Sequence, residues 1–234
     1  AVSGQGRLVV LRGQAGIGKS RIVKSITDVA ALNNQSRIIL QCSPYHVDSA
    51  FFPFVQYITH AAGIAHGDTV EQRLDKIEAF TAHDPNLSAL IARLLELDGS
   101  LRYAPLTGTP AELRAITMQV LVDMFLKEAV HNPLLMVVED LHWIDPTSFE
   151  LLDQIASAVV HRKVMILATS RAGLAQGFTT PQIVTTLPLT RLDEAETHEM
   201  VAKLTHGKLL PPEIMTIIVQ RTDGVPLFVE ELTK

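Results

Sequence analysis

Five short stretches of the chain are apolar almost without interruption: residues 8–11, 37–42, 134–138, 164–169 and 183–187. None alternates cleanly between apolar and polar positions. A strand with one wet face repeats with a period of two. Near-continuous runs of Val, Ile and Leu instead predict strands covered on both faces, as in a parallel sheet. Between these runs the apolar spacing changes to three and four, the period of a helix with one buried face. Ile22, Val23, Ile26, Val29 and Ala30 form one such stripe. In "TPAELRAITMQVLVDMFLKEAV" Thr109 caps, Pro110 takes the first helical position and Glu112 completes a capping box. Leu113, Ile116, Val120, Leu121, Met124 and Phe125 make its predicted buried face. "DPTSFELLDQIASAVV" opens with Asp145 as N-cap and Pro146 behind it.

Strands alternating with helices predict right-handed β-α-β units. The expected fold is α/β, a three-layer sandwich around a five-stranded parallel sheet. Two regions break the alternation. Residues 51–130 contain helical stripes and no strand, and read as a helical insertion within a core spanning 1–188. From 189 to 234 the pattern is again helical. Asp193 with Glu196 makes a capping box, Pro211-Pro212 starts a second helix, Asp223-Gly224 ends it and Pro226 starts a third. This segment reads as a small, truncated helical lid.

The chemistry is concentrated where the first strand ends. "GQAGIGKS" follows "RLVVLR" directly, and Gly13-x4-Gly18-Lys19-Ser20 meets the phosphate-loop pattern without a mismatch. A polyphosphate needs short-range donors. Glycines let the backbone close around it with N–H groups inward, and the following helix adds its positive end. Gly13, Gln14, Ala15, Gly16, Ile17, Gly18, Lys19, Ser20 and Arg21 are therefore the expected nucleotide-binding stretch. Lys19 reaches the β- and γ-phosphates, and the Ser20 hydroxyl ligates Mg²⁺. A plain glycine-rich turn also joins a strand to a helix, but the full pattern arises by chance in roughly one chain in a hundred of this length.

A second signal is "LLMVVEDLHW", an apolar strand ending in Glu139 and Asp140. In an open α/β sheet that edge is where ligands bind. Two carboxylates there are expensive without a cation or water. Glu139 is expected to organise Mg²⁺ with Ser20, and Asp140 to orient the attacking water. The run 37–42 falls between loop and acidic strand in sequence, the order expected when an extra strand separates the two nucleotide strands.

Composition narrows the picture only a little. The net charge of −5 argues against a nucleic-acid surface. Cys42 is the single cysteine, so no internal disulfide forms, which fits a reducing, cytoplasmic compartment. No apolar run approaches the roughly 20 residues of a membrane span. The opening "AVSGQG" has no signal-peptide pattern and no initiator methionine, and the expectation is a piece of a longer polypeptide.

The segments "GQAGIGKSR", "VVEDLHWIDPTS", "ILATSR" and "DGVPLFVEEL" together resemble the signal-transducing P-loop ATPases called STAND, a branch near AAA+ proteins. "CSPYHVDSAFFPFVQYI" is similar, more narrowly, to ATPase modules of bacterial class III adenylate cyclases and related multidomain regulators. The resemblance implies an ASCE-type P-loop NTPase using ATP/ADP and Mg²⁺, flanked by effector and sensor domains, with a homo-oligomer as a further option. It also implies that Arg171, beside Thr169 and Ser170, senses the γ-phosphate. It puts Gly224 and Pro226 against the adenine, although a helix stop followed by a helix start explains those two residues as well. Relatives often carry aspartate then glutamate where this chain has Glu139 then Asp140. Asp140 is one methylene shorter than a typical general base. No arginine finger is legible, and its loss costs about 10³–10⁵ in rate where a family uses one. Slow hydrolysis, as in a switch, is the expectation. A faster oligomeric AAA+ engine or initiator, and a non-hydrolysing scaffold, remain alternatives. The nine histidines, His142 included, show no metal-ligand spacing. Trp143 reads as packing, and residues 51–54 and 90–97 as packing of the insertion or as a partner surface.

Overall fold

The computed structural model describes residues 4–171, 177–208 and 210–234. Five strands, β1 (Arg7–Arg12), β2 (Ser36–Gln41), β3 (Leu134–Glu139), β4 (Val164–Ser170) and β5 (Val184–Pro188), coincide with the five apolar runs to within a residue at each end. All pair in parallel in the order β2-β3-β4-β1-β5. The strand separating the two nucleotide strands in space is therefore β4, whereas β2 sits at the sheet edge. Sequence order alone pointed at β2. The register aligns Arg12 with Ser170 and Val138 with Ala168. The phosphate loop, the Glu139-Asp140 pair and Arg171 thus emerge together at the carboxyl edge of three adjacent strands.

Helix α1 (Lys19–Leu32) covers one face, where Val23 and Ala30 meet Leu11, Leu135, Val137 and Leu167. The other face is covered by α2 (Phe52–Ala61), α5 (Pro110–Leu126) and α6 (Pro146–Ala158). There Phe54, Leu121, Phe125 and Leu151 pack on Leu40, Met136 and Val138. The α/β sandwich is three-layered, as the alternation predicted. Between β2 and β3 lie α2, α3 (Val70–Phe80), α4 (Pro85–Leu94) and α5, and the described residues there hold no strand. A buried hydroxyl pair, Thr81 Oγ1 and Ser88 Oγ at 2.6 Å, ties α3 to α4. Three further helices, α7 (Glu194–Leu204), α8 (Pro212–Thr222) and α9 (Pro226–Thr233), close around their own small core of Val201, Ile218 and Val229. Every cap read from the sequence forms. Thr109 and Asp193 make complete capping boxes, and Asp145 accepts from the Ser148 N–H.

Two further expectations need correction. Strands β2 and β5 are not covered on both faces: Ile39 and Leu187 stand about half exposed. They are the edge strands, and α1 alone is too narrow to shield the full width of its face. The buried face of α5 is also rotated from the expected stripe. Met118, Val122 and Leu126 are buried with Leu121 and Phe125, while Ile116 is exposed. Apolar residues encircle most of that helix, so periodicity does not select a side.

Cys42 follows β2 and is buried, its N–H donating to the Glu139 carbonyl at 3.0 Å. Burial first, then Asp145 and Asp140, pushes its thiol up to about 12. The thiol is neutral in the folded chain but ionises near its ordinary value once unfolded. Its contribution is thus complete below that ordinary value and is lost progressively as pH climbs toward about 12. The native protein is expected to resist a thiol reagent such as DTNB at pH 8 and to react once denatured. Urea titrations at pH 8 and pH 10 should show a smaller alkaline loss in Cys42→Ala than in the parent; equal losses would refute the assignment.

Candidate nucleotide site

The loop between β1 and α1 is shaped by its glycines. Gly13 donates its N–H to the Ser170 carbonyl at 3.1 Å. A side chain there would lie 2.8 Å from Ile17 Cγ2 and 3.1 Å from the Leu189 carbonyl oxygen. Gly16 and Gly18 take left-handed φ values of 76° and 100°, which a β-carbon would penalise. Gly18 is the N-cap of α1 and has no side chain to satisfy the first-turn N–H groups. The Arg21 N–H turns back to the Gly18 carbonyl at 3.1 Å, and the Lys19 and Ser20 N–H groups with the helix dipole are left for an anion.

Lys19 is buried, and its Nζ donates to the carbonyls of Gly13 at 2.6 Å and Gln14 at 2.8 Å. An ammonium has three donors, so one remains beyond these two bonds. Burial is the main cause that holds its pKa below the ordinary lysine value; Arg171 adds to this and Asp140 opposes it. The lysine head is thus held in place by the loop it belongs to.

At the end of β3 the two acids separate. Asp140 takes a left-handed φ of 54°. Its N–H donates to Thr169 Oγ1 at 2.9 Å, and Gln41 Nε2 donates to its Oδ2 at 3.4 Å. Aspartate tolerates that conformation better than most side chains. Asp140 lines a cavity of about 380 Å³ together with Lys19, Ser20, Arg21 and Arg171. Glu139 is half-buried outside that lining, and burial followed by the Asp140 charge raises its pKa. His142, on the short turn Leu141–Trp143, has both ring nitrogens buried without a partner among the described residues. Burial is the leading cause that lowers its pKa, which keeps the ring neutral near pH 7.

The opposite wall of the cavity is helical: Met200 from α7, and Pro226, Leu227 and Glu230 from α9. The main chain stitches this wall to the loop. The Leu227 N–H donates to the Gly16 carbonyl at 3.2 Å. A β-carbon on Gly16 would meet Leu227 and Val225 side chains at 3.1 Å. Arg191 forks between the Asp223 carboxylate and Gln14 Oε1, the latter at 3.2 Å. Gly224, at φ 67°, lies behind the wall: its carbonyl accepts the Leu192 N–H at 2.8 Å.

Most residues read from the sequence therefore converge. Ala15, Gly16, Gly18, Lys19, Ser20, Arg21, Asp140, Arg171 and Pro226 line one cavity. Gly13 and Gln14 hold the lysine, Ile17 is buried beneath the loop, and Gly224 serves close backbone packing. Sequence reasoning missed Met200, Leu227, Glu230 and Arg191. Glu230 was reachable, since it stands four positions after Pro226 and so shares its helix face. Nothing local marks Met200 or Arg191: packing of α7 brings the first to the cavity, and bonds to Asp223 and Gln14 hold the second.

A glycine-shaped loop at the carboxyl edge of a parallel sheet, with strand-end acid and arginine beside it, defines a P-loop nucleotide-binding fold. A family model described as the AAA ATPase domain matches residues 1–167. The chain belongs to that family, which implies nucleotide binding. It is 29% identical over 236 residues to an uncharacterized protein of Rhizobium meliloti (strain 1021), covering 99% of this chain and 23% of that relative. The chain thus spans about a quarter of the length of the curated relative it matches. Among solved structures, a chain of the E. coli MS115-1 HORMA:CdnC:Trip13 complex superposes with a TM-score of 0.51 at 12% identity, over 93% of this chain and 59% of that one. The likeness is one of fold. A STAND protein with a tetratricopeptide repeat sensor from Pyrococcus horikoshii gives 0.49 at 15% identity, over 97% of this chain and 27% of that one. Among the described residues no helix is long and apolar enough to cross a membrane.

Proposed function

We propose that this chain is the ATP-binding switch module of a larger signalling polypeptide, with slow Mg²⁺-dependent hydrolysis. The observation that carries it is the bond from the Leu227 N–H to the Gly16 carbonyl. The loop that cradles phosphate is the same loop that the lid grips, so a change in phosphate occupancy acts directly on the lid. The division is a core of 1–188 and a lid of 189–234, and flanking domains read the angle between them. The STAND reading rests on the "EDLHW" and "GVPLFVEEL" segments, and the cyclase-associated one on "CSPYHVDSAFFPFVQYI".

Each side chain has a role in this reading. Loop N–H groups and the third Lys19 hydrogen bind the β- and γ-phosphates. Arg171 meets the γ-phosphate charge, and Pro226 with Leu227 and Met200 offers the base an apolar wall. For Mg²⁺, the Ser20 hydroxyl is a hard oxygen donor in the cavity lining. Among the described residues no cluster of three or more His, Cys, Asp or Glu could hold a metal alone. That suits an ion carried mostly by phosphate and water. When bound, Mg²⁺ would neutralise charge developing on the phosphates. Asp140, in the cavity lining, orients the attacking water through its free oxygen. Glu139, one position earlier at the end of β3, would support the ion's water shell. These carboxylate roles, and the metal role of Ser20, are part of the proposal.

Asp140→Asn is expected to leave MgATP binding within a fewfold of the parent. Phosphate release should fall by about 10²–10⁴, the usual contribution of a positioned acid or base. Unchanged release would remove Asp140 from the chemistry. Parent turnover above about 1 s⁻¹, the working range of enzymes, would favour the engine over the switch.

A further inference from the structure

The cavity is polar at one end and differently built at the other. Lys19, Ser20, Asp140 and Arg171 gather at the sheet edge, where a triphosphate finds its donors and its ion. On the lid side, Met200, Pro226 and Leu227 are apolar, and Glu230 is the one charged residue lining that wall among the described residues. Pro226 and Glu230 are one helical turn apart on α9, a separation of about 6 Å. The start of α9 is pinned by the Leu227–Gly16 bond, so Glu230 is held at a set distance beyond the loop. Its Oε1 lies 3.3 Å from Lys234 Nζ, and its side chain keeps 35% of its exposure, enough for a ligand to reach it. Oε2 has no partner among the described residues.

A carboxylate beside a phosphate is repelled, because both are anionic. A ribose instead presents two hydroxyl donors, and its base asks for the apolar surface found next to Glu230. We propose that Glu230 recognises the ribose of the bound nucleotide, accepting a hydrogen bond from its 2′ or 3′ hydroxyl. This rests on the nucleotide reading above and deepens it. Glu230 would then set ribonucleotide over deoxyribonucleotide selectivity from the lid side, so lid closure and sugar recognition become one event.

The test is calorimetric titration of the parent, Glu230→Ala and Glu230→Gln with ATP, 2′-deoxy-ATP and 3′-deoxy-ATP, each with Mg²⁺, with Lys19→Ala alongside. The parent is expected to favour ATP over at least one deoxynucleotide by about tenfold, the range of one hydrogen bond to a charged group. Glu230→Ala should bring that ratio below about twofold while binding the discriminated deoxynucleotide as the parent does. Glu230→Gln, still an acceptor, should keep an intermediate preference. A parent that binds all three equally overturns the proposal and leaves the nucleotide site intact. A Glu230→Ala variant that tightens on ATP but not on ADP would put the carboxylate at the γ-phosphate and also overturn it. A parent that binds no nucleotide, or binds ATP as Lys19→Ala does, overturns the nucleotide reading and this proposal together.

Discussion

Lys19→Ala is expected to lower MgATP affinity by at least about a hundredfold, equivalent to about 2.7 kcal/mol. The size follows from what the side chain does. Its head group is buried and already bonded to the Gly13 and Gln14 carbonyls, so little further ordering is needed when phosphate arrives. Hydrogen bonds to charged groups contribute about 1.5–3 kcal/mol each, and here both partners are charged in a partly desolvated cavity. The variant also leaves two loop carbonyls without their donor. Calorimetric titration reads the effect directly. Thermal melting gives a second reading: ATP at about 100 times the parent's Kd should stabilise the parent by about 2.7 kcal/mol and the variant by no more than about 0.4 kcal/mol. The nucleotide-free variant should fold normally, because removing a buried cation relieves a desolvation cost. Equal heats for parent and variant would sink the site.

Gly224→Ala is the second large effect, on stability. The new β-carbon would lie 2.1 Å from the Leu192 carbonyl oxygen, far inside contact distance, and the obstacle is backbone that cannot swing aside. The residue also sits at φ 67°, which itself costs a side chain about 1–2 kcal/mol. A loss of about 2–4 kcal/mol is expected, in the range of strain at a special backbone position. It should concentrate in α7–α9. Hydrogen exchange should speed up there while the central strands β1, β3 and β4 keep their protection. ATP affinity should fall as well, since Leu227 would lose its register on Gly16. Parent-like urea midpoints would show that the backbone relaxes without penalty and would end the claim that this glycine fixes the lid.

Much of the fold was legible along the chain because the signals are local. Gly13 to Ser20 needs only eight consecutive residues, and the Thr109, Asp145 and Asp193 caps need four. The strands announced themselves because both faces of β1, β3 and β4 are covered, which forces unbroken apolar runs. Where coverage is partial, the reading failed. Ile39 and Leu187 look as buried in sequence as Val137, which is 0% exposed, and only strand order tells an edge from a centre. The face of α5 was illegible for the same reason, since a helix apolar on most sides packs wherever its neighbours allow.

The candidate site divides along the same line. The sequence by itself determined the phosphate loop, the acidic strand end and the starts of the C-terminal helices, because each depends on spacing within one segment; Arg171 came from the resemblance of "ILATSR" to a known family. The tertiary structure alone decided that β4 lies between the nucleotide strands and that Asp140 lines the cavity while Glu139 does not. It alone brought Met200 to the cavity wall and Arg191 to Gln14. Those outcomes depend on a backbone turn at positive φ and on packing between segments nearly two hundred residues apart, as with Arg191 and Gln14. Such contacts form through burial and geometry in space, and no local pattern of residues encodes them.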